Sequence, residues 1–263
     1  MPQTPSCHSY RRGLVEHEHA SHGDLYFTCK SAHVRVRDLN WMQLEDYVGR
    51  DDRIVLPVGS TEQHAFLSLE TDNIIAERLA VEAAEPLGVP VLPVLAYGIT
   101  PGFAAFPGSP SVQLETFVAV VRDILDSLRR QGFKRFVVAN GHGGNTSARV
   151  GVMEWSAAHD DVAVIWHEVW EGRPDEIAAE IDHDYDHASW SENFPWTRLA
   201  GVELPTVRKP PLVRPKVSKP QPWREALGDG SFGGLYERPD EDVLRVWNAA
   251  VEELRERLAS GWA

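Results

Sequence analysis

The sequence predicts an α/β fold, a single domain with a central, mostly parallel sheet flanked by helices. Short apolar runs of strand length alternate along the chain with longer segments of helical periodicity. Strands separated by helices are typical of a parallel sheet that is covered on both faces. A length of 263 residues suffices for one large core, and no linker divides that core convincingly.

The first half of the chain alternates in this way. The apolar run at residues 53–58 ends in Gly-Ser and predicts a buried strand. Residues 72–84 have helical periodicity and begin with an acidic capping candidate, Asp72. A second apolar run, residues 89–95, contains two prolines, which favour the edge or the end of a sheet. A long loop rich in Gly and Pro is expected over residues 97–111.

The second half continues the alternation up to residue 166. In order, its patterns predict an amphipathic helix, a strand, a helix, a strand and, after an irregular segment, a C-terminal helix. These elements cover residues 112–131, 134–139, 146–158, 162–166 and 239–259. The irregular segment, residues 170–238, contains clusters of Asp and His and a stretch rich in Pro and Lys.

Composition excludes several classes of function. Lys and Arg total 26 against 39 Asp and Glu, a formal net charge of −13. An acidic chain repels phosphate, so we expect neither nucleic acid nor a membrane surface as a partner. No run reaches the roughly 18 apolar residues of a membrane span, and the N-terminus lacks the apolar core of a secretory signal. Because two cysteines are too few for a disulfide framework, we expect a cytoplasmic protein.

The first 35 residues differ from the rest because they are polar and contain five histidines. We therefore expect an N-terminal His-rich arm over residues 1–35 and the α/β domain over residues 36–263. The irregular spacing of these histidines favours a surface arm over a metal site.

Polar side chains follow two of the predicted strands. Glu62 and His64 are two residues apart after the first strand, which places them on one side, and Asp72 opens the next helix. In open α/β sheets, ligand sites form beyond the carboxyl ends of strands. Carboxylate and imidazole groups suit Zn²⁺, Mn²⁺ or Fe²⁺. The alternative is a helix cap beside exposed loop residues.

The second polar segment is Asn-Gly-His-Gly-Gly-Asn at residues 140–145. Glycines on both sides of His142 allow tight turns and the close approach of a ligand. Asn140 and Asn145 are candidates for holding the loop or orienting a ligand side chain. An anion-binding helix N-terminus is the alternative interpretation.

A third polar cluster, residues 182–187, is followed by Glu192. Glu62, Asp72 and His142 suffice for one ion, whereas His64 and a shared Asp72 need a further anionic ligand, for which Glu192 is the candidate. His187 is a candidate proton donor near neutral pH. A solvated acidic loop remains the alternative for this cluster.

At these residues the chain resembles the creatininase family. The matching motifs are GSTEQH at residues 59–64 with Thr71-Asp72, NGHGGN at 140–145, and H-A-x-x-x-E at 187–192, in the family's order over roughly residues 40–260. The resemblance implies an α/β hydrolase with two divalent metal ions, commonly a hexamer. It also implies that His187 protonates the leaving group. The implied metal ligands are Glu62, Asp72 and His142 for one ion, and His64, Asp72 and an acidic residue for the other.

Three departures from the family pattern concern the substrate. The stretch at residues 65–70 is shorter than usual and lacks the family's second His. Creatinine amidohydrolases carry Tyr and Glu directly after NGH, where this chain has Gly143 and Gly144, so Glu192 is expected to complete the second metal site. Ser replaces the Gly of the usual HAG at residue 189, and an aromatic-rich stretch follows at 190–196. These changes argue against creatinine as the substrate.

We therefore expect a metal-dependent, ring-opening hydrolase of a small polar cyclic substrate. The stretches EQHAFLSL and SWSENFPW resemble a carbohydrate-catabolic branch of the family, which implies hydrolysis of the cyclic diketone 3-dehydro-scyllo-inosose in inositol catabolism. Trp190, Asn193, Gly143 and Gly144 are then the substrate contacts, although core packing is the alternative for the aromatic residues. Two other functions stay open: an amidohydrolase of creatinine or another small cyclic amide or formamide, and a non-catalytic metal- or sugar-binding protein.

Overall fold

Three parallel strands and seven α-helices make up the regular structure of residues 33–262, the part of the chain that the computed structural model describes. The strands are β1 (Arg53–Val58), β2 (Arg135–Asn140) and β3 (Ala163–Glu168). The helices are α1 (Trp41–Val48), α2 (Thr71–Ala84), α3 (Leu114–Arg130), α4 (Arg149–Ala157), α5 (Arg173–Ile181), α6 (Pro220–Leu227) and α7 (Asp240–Ser260).

The sheet has the strand order β1-β2-β3, and its strands pair in full register. Val58, Asn140 and Glu168 are therefore aligned at the carboxyl ends of the three strands. The loops that follow these residues emerge at one edge of the sheet, which is where ligand sites form in open α/β folds.

Residues 90–95 run parallel to β1 along its free edge. Leu92 N donates to Val55 O at 2.9 Å, and Leu95 N donates to Pro57 O at 3.0 Å. A regular ladder does not form, because Pro90 and Pro93 have no N–H to donate. The expected position at the edge of the sheet is thus confirmed for this segment.

Helices cover both faces of the sheet because its strand residues are apolar on both sides. Ile54, Leu56 and Val58 of β1 pack toward α3 and α4, whereas Val55 packs toward α2 and α7. All four side chains are buried. The result is the three-layer α/β architecture that the alternation of strands and helices predicts.

The strands of the sheet and helices α2, α3 and α7 confirm the predicted pattern. The helix expected at residues 146–158 begins as a 3₁₀ turn over Gly143–Ala148, before α4. Helices α1, α5 and α6 were not predicted. The His-rich arm lies outside the described residues up to residue 32. Among the helices of residues 33–262, none is long and apolar enough to cross a membrane.

Candidate metal centre

The five expected metal ligands meet beyond the carboxyl edge of the sheet. Glu62 and His64 lie in the loop after β1, Asp72 lies in the first turn of α2, and His142 follows β2. Glu192 ends the 3₁₀ turn Trp190–Glu192. None of the five is more than 8% exposed. Strand ends and a helix terminus thus hold polar side chains inside the protein.

Asp72 joins two groups of candidate ligands. Its Oδ1 lies 2.9 Å from His64 Nε2, and its Oδ2 lies 3.0 Å from His142 Nδ1. Glu62 Oε1 completes one group, 3.3 Å from His142 Nδ1, and Glu192 Oε2 completes the other, 3.8 Å from His64 Nε2. Within each group, the candidate ligand atoms lie within 4.8 Å of one another. The structure therefore brings together both sets that the sequence singled out.

Backbone carbonyls fix the orientation of the two imidazole rings. His64 Nδ1 lies 3.2 Å from Glu62 O, and His142 Nε2 lies 3.0 Å from Ile99 O. Since a carbonyl oxygen only accepts, each of these ring nitrogens is the one that donates a hydrogen. The opposite nitrogen faces the carboxylates and would bind a metal ion once it loses its proton, which is the usual arrangement of a metal-ligating histidine.

Several of these buried polar atoms have no hydrogen-bond partner among residues 33–262. They are both carboxylate oxygens of Glu62, Asp72 Oδ2 and His64 Nε2. The close approach of Asp72 to the two histidines lacks the direction of a hydrogen bond. An unpaired buried charge costs several kcal/mol, roughly, unless a counter-charge compensates it. The donor set of carboxylates and imidazoles therefore fits divalent cations.

The pKa values of the ligand side chains, in the protein without metal, also indicate a site that attracts cations. Burial would lower the pKa of His64, but Asp72 and the other carboxylates outweigh it and raise the pKa to about 10. Burial likewise opposes, and Glu62 and Asp72 favour, the charged form of His142, so its pKa lies well above the usual range. Burial raises the pKa of Glu192 to about 7. The carboxylates thus attract positive charge, so that metal ions and protons compete for the same positions.

His187 lies beside both ligand groups, and its ring contacts a carboxylate, two aromatic rings and a backbone carbonyl. Its Nδ1 is 3.9 Å from Glu62 Oε1, and its ring centroid lies 4.9 Å from that of Phe103 and 5.0 Å from that of Phe232. Its Nε2 lies 3.0 Å from Gln63 O. Burial and the neighbouring His64 lower the pKa of His187 to about 4. A nitrogen that faces the ligand groups in this way suits proton transfer to a bound molecule.

Gln63 is a positioning residue that the sequence analysis missed. Its side-chain Nε2 lies 3.0 Å from His187 Nε2 and donates to Gly230 O at 3.1 Å. Gly230 adopts φ +109°, and a Cβ there would lie 1.8 Å from Gln63 Oε1. Phe232 N donates to His187 O at 3.0 Å. The glycine-rich stretch at residues 228–234 is the sequence signal for these contacts, which position His187.

The two asparagines of NGHGGN hold the loop after β2. Asn140 Nδ2 donates to His142 O at 2.8 Å and to Glu168 Oε2 at 2.6 Å, and its Oδ1 accepts from His142 N at 3.2 Å. Asn145 Nδ2 donates to Gly59 O at 3.0 Å. These contacts are those expected of residues that orient a ligand side chain. Glu168, at the end of β3, is a further support that the sequence patterns did not indicate.

Gly143 and Gly144 both line the cavity next to the ligand groups, but they differ in the space around them. A Cβ at Gly143 would meet nothing within 4 Å. A Cβ at Gly144 would lie 2.0 Å from Ile99 O and 2.4 Å from His142 Nε2. The loop can therefore carry no side chain at residue 144, where creatinine amidohydrolases are expected to have a Glu.

The cavity beside the ligand groups has a volume of about 790 Å³. Trp190 and Asn193, the expected substrate contacts, are not among the described residues that line it. Trp190 is fully buried against Ala178 and Val246. The Asn193 amide is already engaged, because Nδ2 donates to Tyr236 O at 2.7 Å and Oδ1 accepts from Arg198 Nε at 2.7 Å.

Trp196, in the same aromatic-rich stretch, packs partly buried against the core. It stacks on Phe194 with the ring centroids 5.2 Å apart and contacts Trp247 edge-on at 4.8 Å. Core packing, the alternative for this aromatic stretch, therefore accounts for both tryptophans.

Known proteins are similar in sequence to parts of this chain. The creatinine amidohydrolase of Pseudomonas putida is 34% identical over 119 residues, 43% of this chain and 46% of that protein. The mycofactocin precursor peptide peptidase of Mycolicibacterium smegmatis is 38% identical over 105 residues, 36% of this chain and 41% of that protein. The 3-dehydro-scyllo-inosose hydrolase of Thermotoga maritima is 24% identical over 139 residues, 52% of this chain and 45% of that protein. Each alignment thus spans less than half of the relative's length.

Solved structures share the fold. A crystal structure of creatinine amidohydrolase (creatininase) superposes with a TM-score of 0.73 over 89% of this chain and 98% of that chain, at 24% identity. Creatininase structures described as Zn-Zn type and as Mn have TM-scores of 0.74 and 0.72, each at 22% identity and covering 87% of this chain and 98% of theirs. A family model described as creatininase, creatinine amidohydrolase, matches residues 37–258, and the chain therefore belongs to the creatininase family.

Proposed function

We propose that the protein is a divalent-metal-dependent hydrolase that cleaves an amide-type C–N bond. One observation carries this proposal: two buried ligand groups share Asp72, which offers one carboxylate oxygen to each. A non-catalytic binding protein would need neither the second group nor a histidine beside both.

Two divalent ions held by these groups would polarise a carbonyl and make water a nucleophile near neutral pH. Glu62, Asp72 and His142 would hold one ion, and His64, Asp72 and Glu192 the other. The chain contributes the rest. Phe103 and Phe232 shield His187 from solvent, and the Gln63 carbonyl oxygen, 3.0 Å from Nε2, holds the imidazole in place. The neutral His187 takes a proton from the attacking water at Nδ1, the nitrogen that faces the ligand groups, and gives it to the departing nitrogen.

Amide cleavage is favoured over the opening of a polyhydroxylated ring. Hydrolysis of 3-dehydro-scyllo-inosose was inferred with Trp190 and Asn193 as substrate contacts, and both lie outside the cavity. The rings of Phe103 and Phe232, which lie next to His187, offer a polyol no hydrogen bonds. Two of the relatives are named an amidohydrolase and a peptidase, whereas the inosose hydrolase is 24% identical.

The proposal is tested by metal content and turnover together. Protein loaded with Zn²⁺ or Mn²⁺ is assayed against creatinine, a formamide, short peptides and 3-dehydro-scyllo-inosose. We expect cleavage of at least one C–N substrate and no loss of 3-dehydro-scyllo-inosose. Ring opening of the diketone with no amide cleaved would replace this proposal with the C–C hydrolase. No turnover of any substrate would favour a binding protein.

Two histidine variants separate the roles of the side chains. His142→Ala should lose bound metal and activity together, since only the carboxylates of Glu62 and Asp72 would remain as ligands in its group. His187→Ala should retain its metal, measured by elemental analysis, and lose turnover by roughly 10²–10⁴-fold. His159→Ala, remote from the ligand groups and bonded to Trp155 O, is the matched control and should change neither quantity. Full activity of His187→Ala would refute the assignment of the proton donor.

A further inference from the structure

One wall of the cavity is a continuous aromatic surface that begins at His187. The ring centroids of Phe103 and Phe232 are 6.0 Å apart and meet edge to face. Trp223, from α6, lies 6.0 Å from Phe232 and extends the surface away from the ligand groups. All three residues line the cavity. Such a surface favours a flat or apolar group over a polar ring.

Arg214 lies over Phe232, one of the rings of this aromatic surface. Its guanidinium carbon is 5.6 Å from the centroid of the Phe232 ring, and the residue lines the cavity. Within residues 33–262 it forms no ion pair, whereas its neighbours along the chain do. Arg208 binds Asp182 at 2.5 Å, and Lys209 binds Asp229. Among residues 33–262, Arg214 thus has no carboxylate partner, which leaves its guanidinium able to bind an anionic group in the cavity.

Two of the carboxylates that line the cavity already accept hydrogen bonds from the chain. Asp175 accepts a hydrogen bond from Tyr185 Oη, and Asp186 Oδ1 accepts from His187 N at 2.8 Å. Of the described residues that line the cavity, Asp175 and Asp186 are thus engaged acidic groups, and Arg214 is the one guanidinium. A ligand with one negative end is favoured to place that end at Arg214.

We propose that the substrate is an amide that carries both an apolar, preferably aromatic, side group and a carboxylate. Its scissile carbonyl lies at the ligand groups, its side group lies on Phe103 and Phe232, and its carboxylate binds Arg214. Planar guanidinium and carboxylate groups pair through two parallel hydrogen bonds, so this contact selects the charged end. This inference rests on the proposed amide hydrolysis. One water is consumed: its oxygen joins the carbonyl carbon, the C–N bond breaks, and the nitrogen leaves as an amine.

The size of the cavity agrees with such a molecule. A volume of about 790 Å³ lies in the range of sites that bury drug-sized ligands, and a small ring such as creatinine would leave most of it to water. A carbonyl, an aromatic ring and a carboxylate on one short backbone would reach all three parts of the cavity. Arg214 then determines specificity without taking part in the bond cleavage.

Binding of two matched probes tests this inference independently of turnover. The probes are N-formylphenylalanine and its neutral primary amide, titrated by calorimetry into the metal-loaded protein. We expect the acid to bind at least tenfold more tightly than the amide. Arg214→Gln should abolish this preference, and Arg214→Lys should keep part of it. Arg149→Gln removes the same charge from the exposed surface of α4 and should leave both affinities unchanged.

Trp223→Leu should weaken both probes by a similar factor and leave the ratio of acid to amide unchanged, because it shortens only the apolar surface. An unchanged affinity of the acid in Arg214→Gln would overturn the inference, since the carboxylate would then bind the metal ions. Failure of both probes to bind would also overturn it. Binding as expected without any release of formate would instead refute the proposed hydrolase and leave the ligand class intact.

Discussion

His167 should make the folded protein sensitive to mild acid, although it lies outside the candidate site. It belongs to β3 and is 1% exposed, and neither ring nitrogen has a hydrogen-bond partner among residues 33–262. The charged groups that act on it are Arg257 and Glu253 of α7. Burial and, to a smaller extent, Arg257 lower the pKa of His167 to about 4.

The magnitude follows from the difference between this pKa and the ordinary value of 6.5. Between pH 6.5 and pH 4 the unfolded chain binds a proton at this position and the folded chain does not. Stability therefore falls as the pH decreases through this window. Each pKa unit corresponds to about 1.4 kcal/mol, so the free energy of unfolding loses about 2 kcal/mol by pH 5 and about 3 kcal/mol by pH 4.

The assay is urea unfolding at pH 7.5 and pH 5.0 with a chelator present, so that release of metal does not contribute. His167→Leu keeps the side-chain volume approximately and removes the titrating group. Its loss of unfolding free energy between the two pH values should be about 2 kcal/mol smaller than that of the wild type. The exposed His183→Gln should lose as much as the wild type. Equal losses in His167→Leu and the wild type would refute the reasoning.

Four further substitutions test local features of the site. Gly144→Ala should weaken metal binding by about 10–100-fold, measured with a competing chelator, because its Cβ displaces His142. Gly143→Ala, with open space around its Cβ, should bind metal normally, and equal effects at both positions would contradict this account. Ala188→Gly should raise the free energy of unfolding by about 0.5–1 kcal/mol, since Ala188 has φ 56°. An unchanged urea midpoint would show that this conformation is not strained. Gln63→Leu should retain its metal and KM but lose about tenfold in kcat, since it releases His187. An unchanged kcat would exclude the positioning role.

The elements that could be predicted from sequence are those in which burial requires apolar residues at regular spacing. The runs at residues 53–58, 134–139 and 162–166 became the three strands because both faces of the sheet are covered. Helix α5 was missed although Pro174 and Asp175 in its first turn are start signals, because it is only nine residues long and lies within the segment 170–238, which has no regular alternation. Helix α1 has a capping box of Asn40 and Gln43 that also went unnoticed.

The candidate ligands could be predicted because motif residues at the ends of parallel strands must converge. The substrate contacts could not, since an aromatic run looks the same whether it packs in the core, as Trp190 does, or lines a cavity. Arg214 and Trp223 reach the cavity from a segment without regular pattern, which only the tertiary structure places. The cytoplasmic location and the homo-oligomer, including a hexamer, stay predictions.

Asp72 belongs both to the core helix α2 and to the two ligand groups. The same helix buries Ile75 and Leu79 against the sheet. Binding or loss of metal ions at Asp72 therefore changes the stability of a helix that packs in the core. Ions that bind only the folded chain raise its free energy of unfolding, by about 2.7 kcal/mol at a hundred times their Kd. Metal supply would then govern how much of the newly made chain survives proteolysis, as well as how fast the survivors turn over substrate.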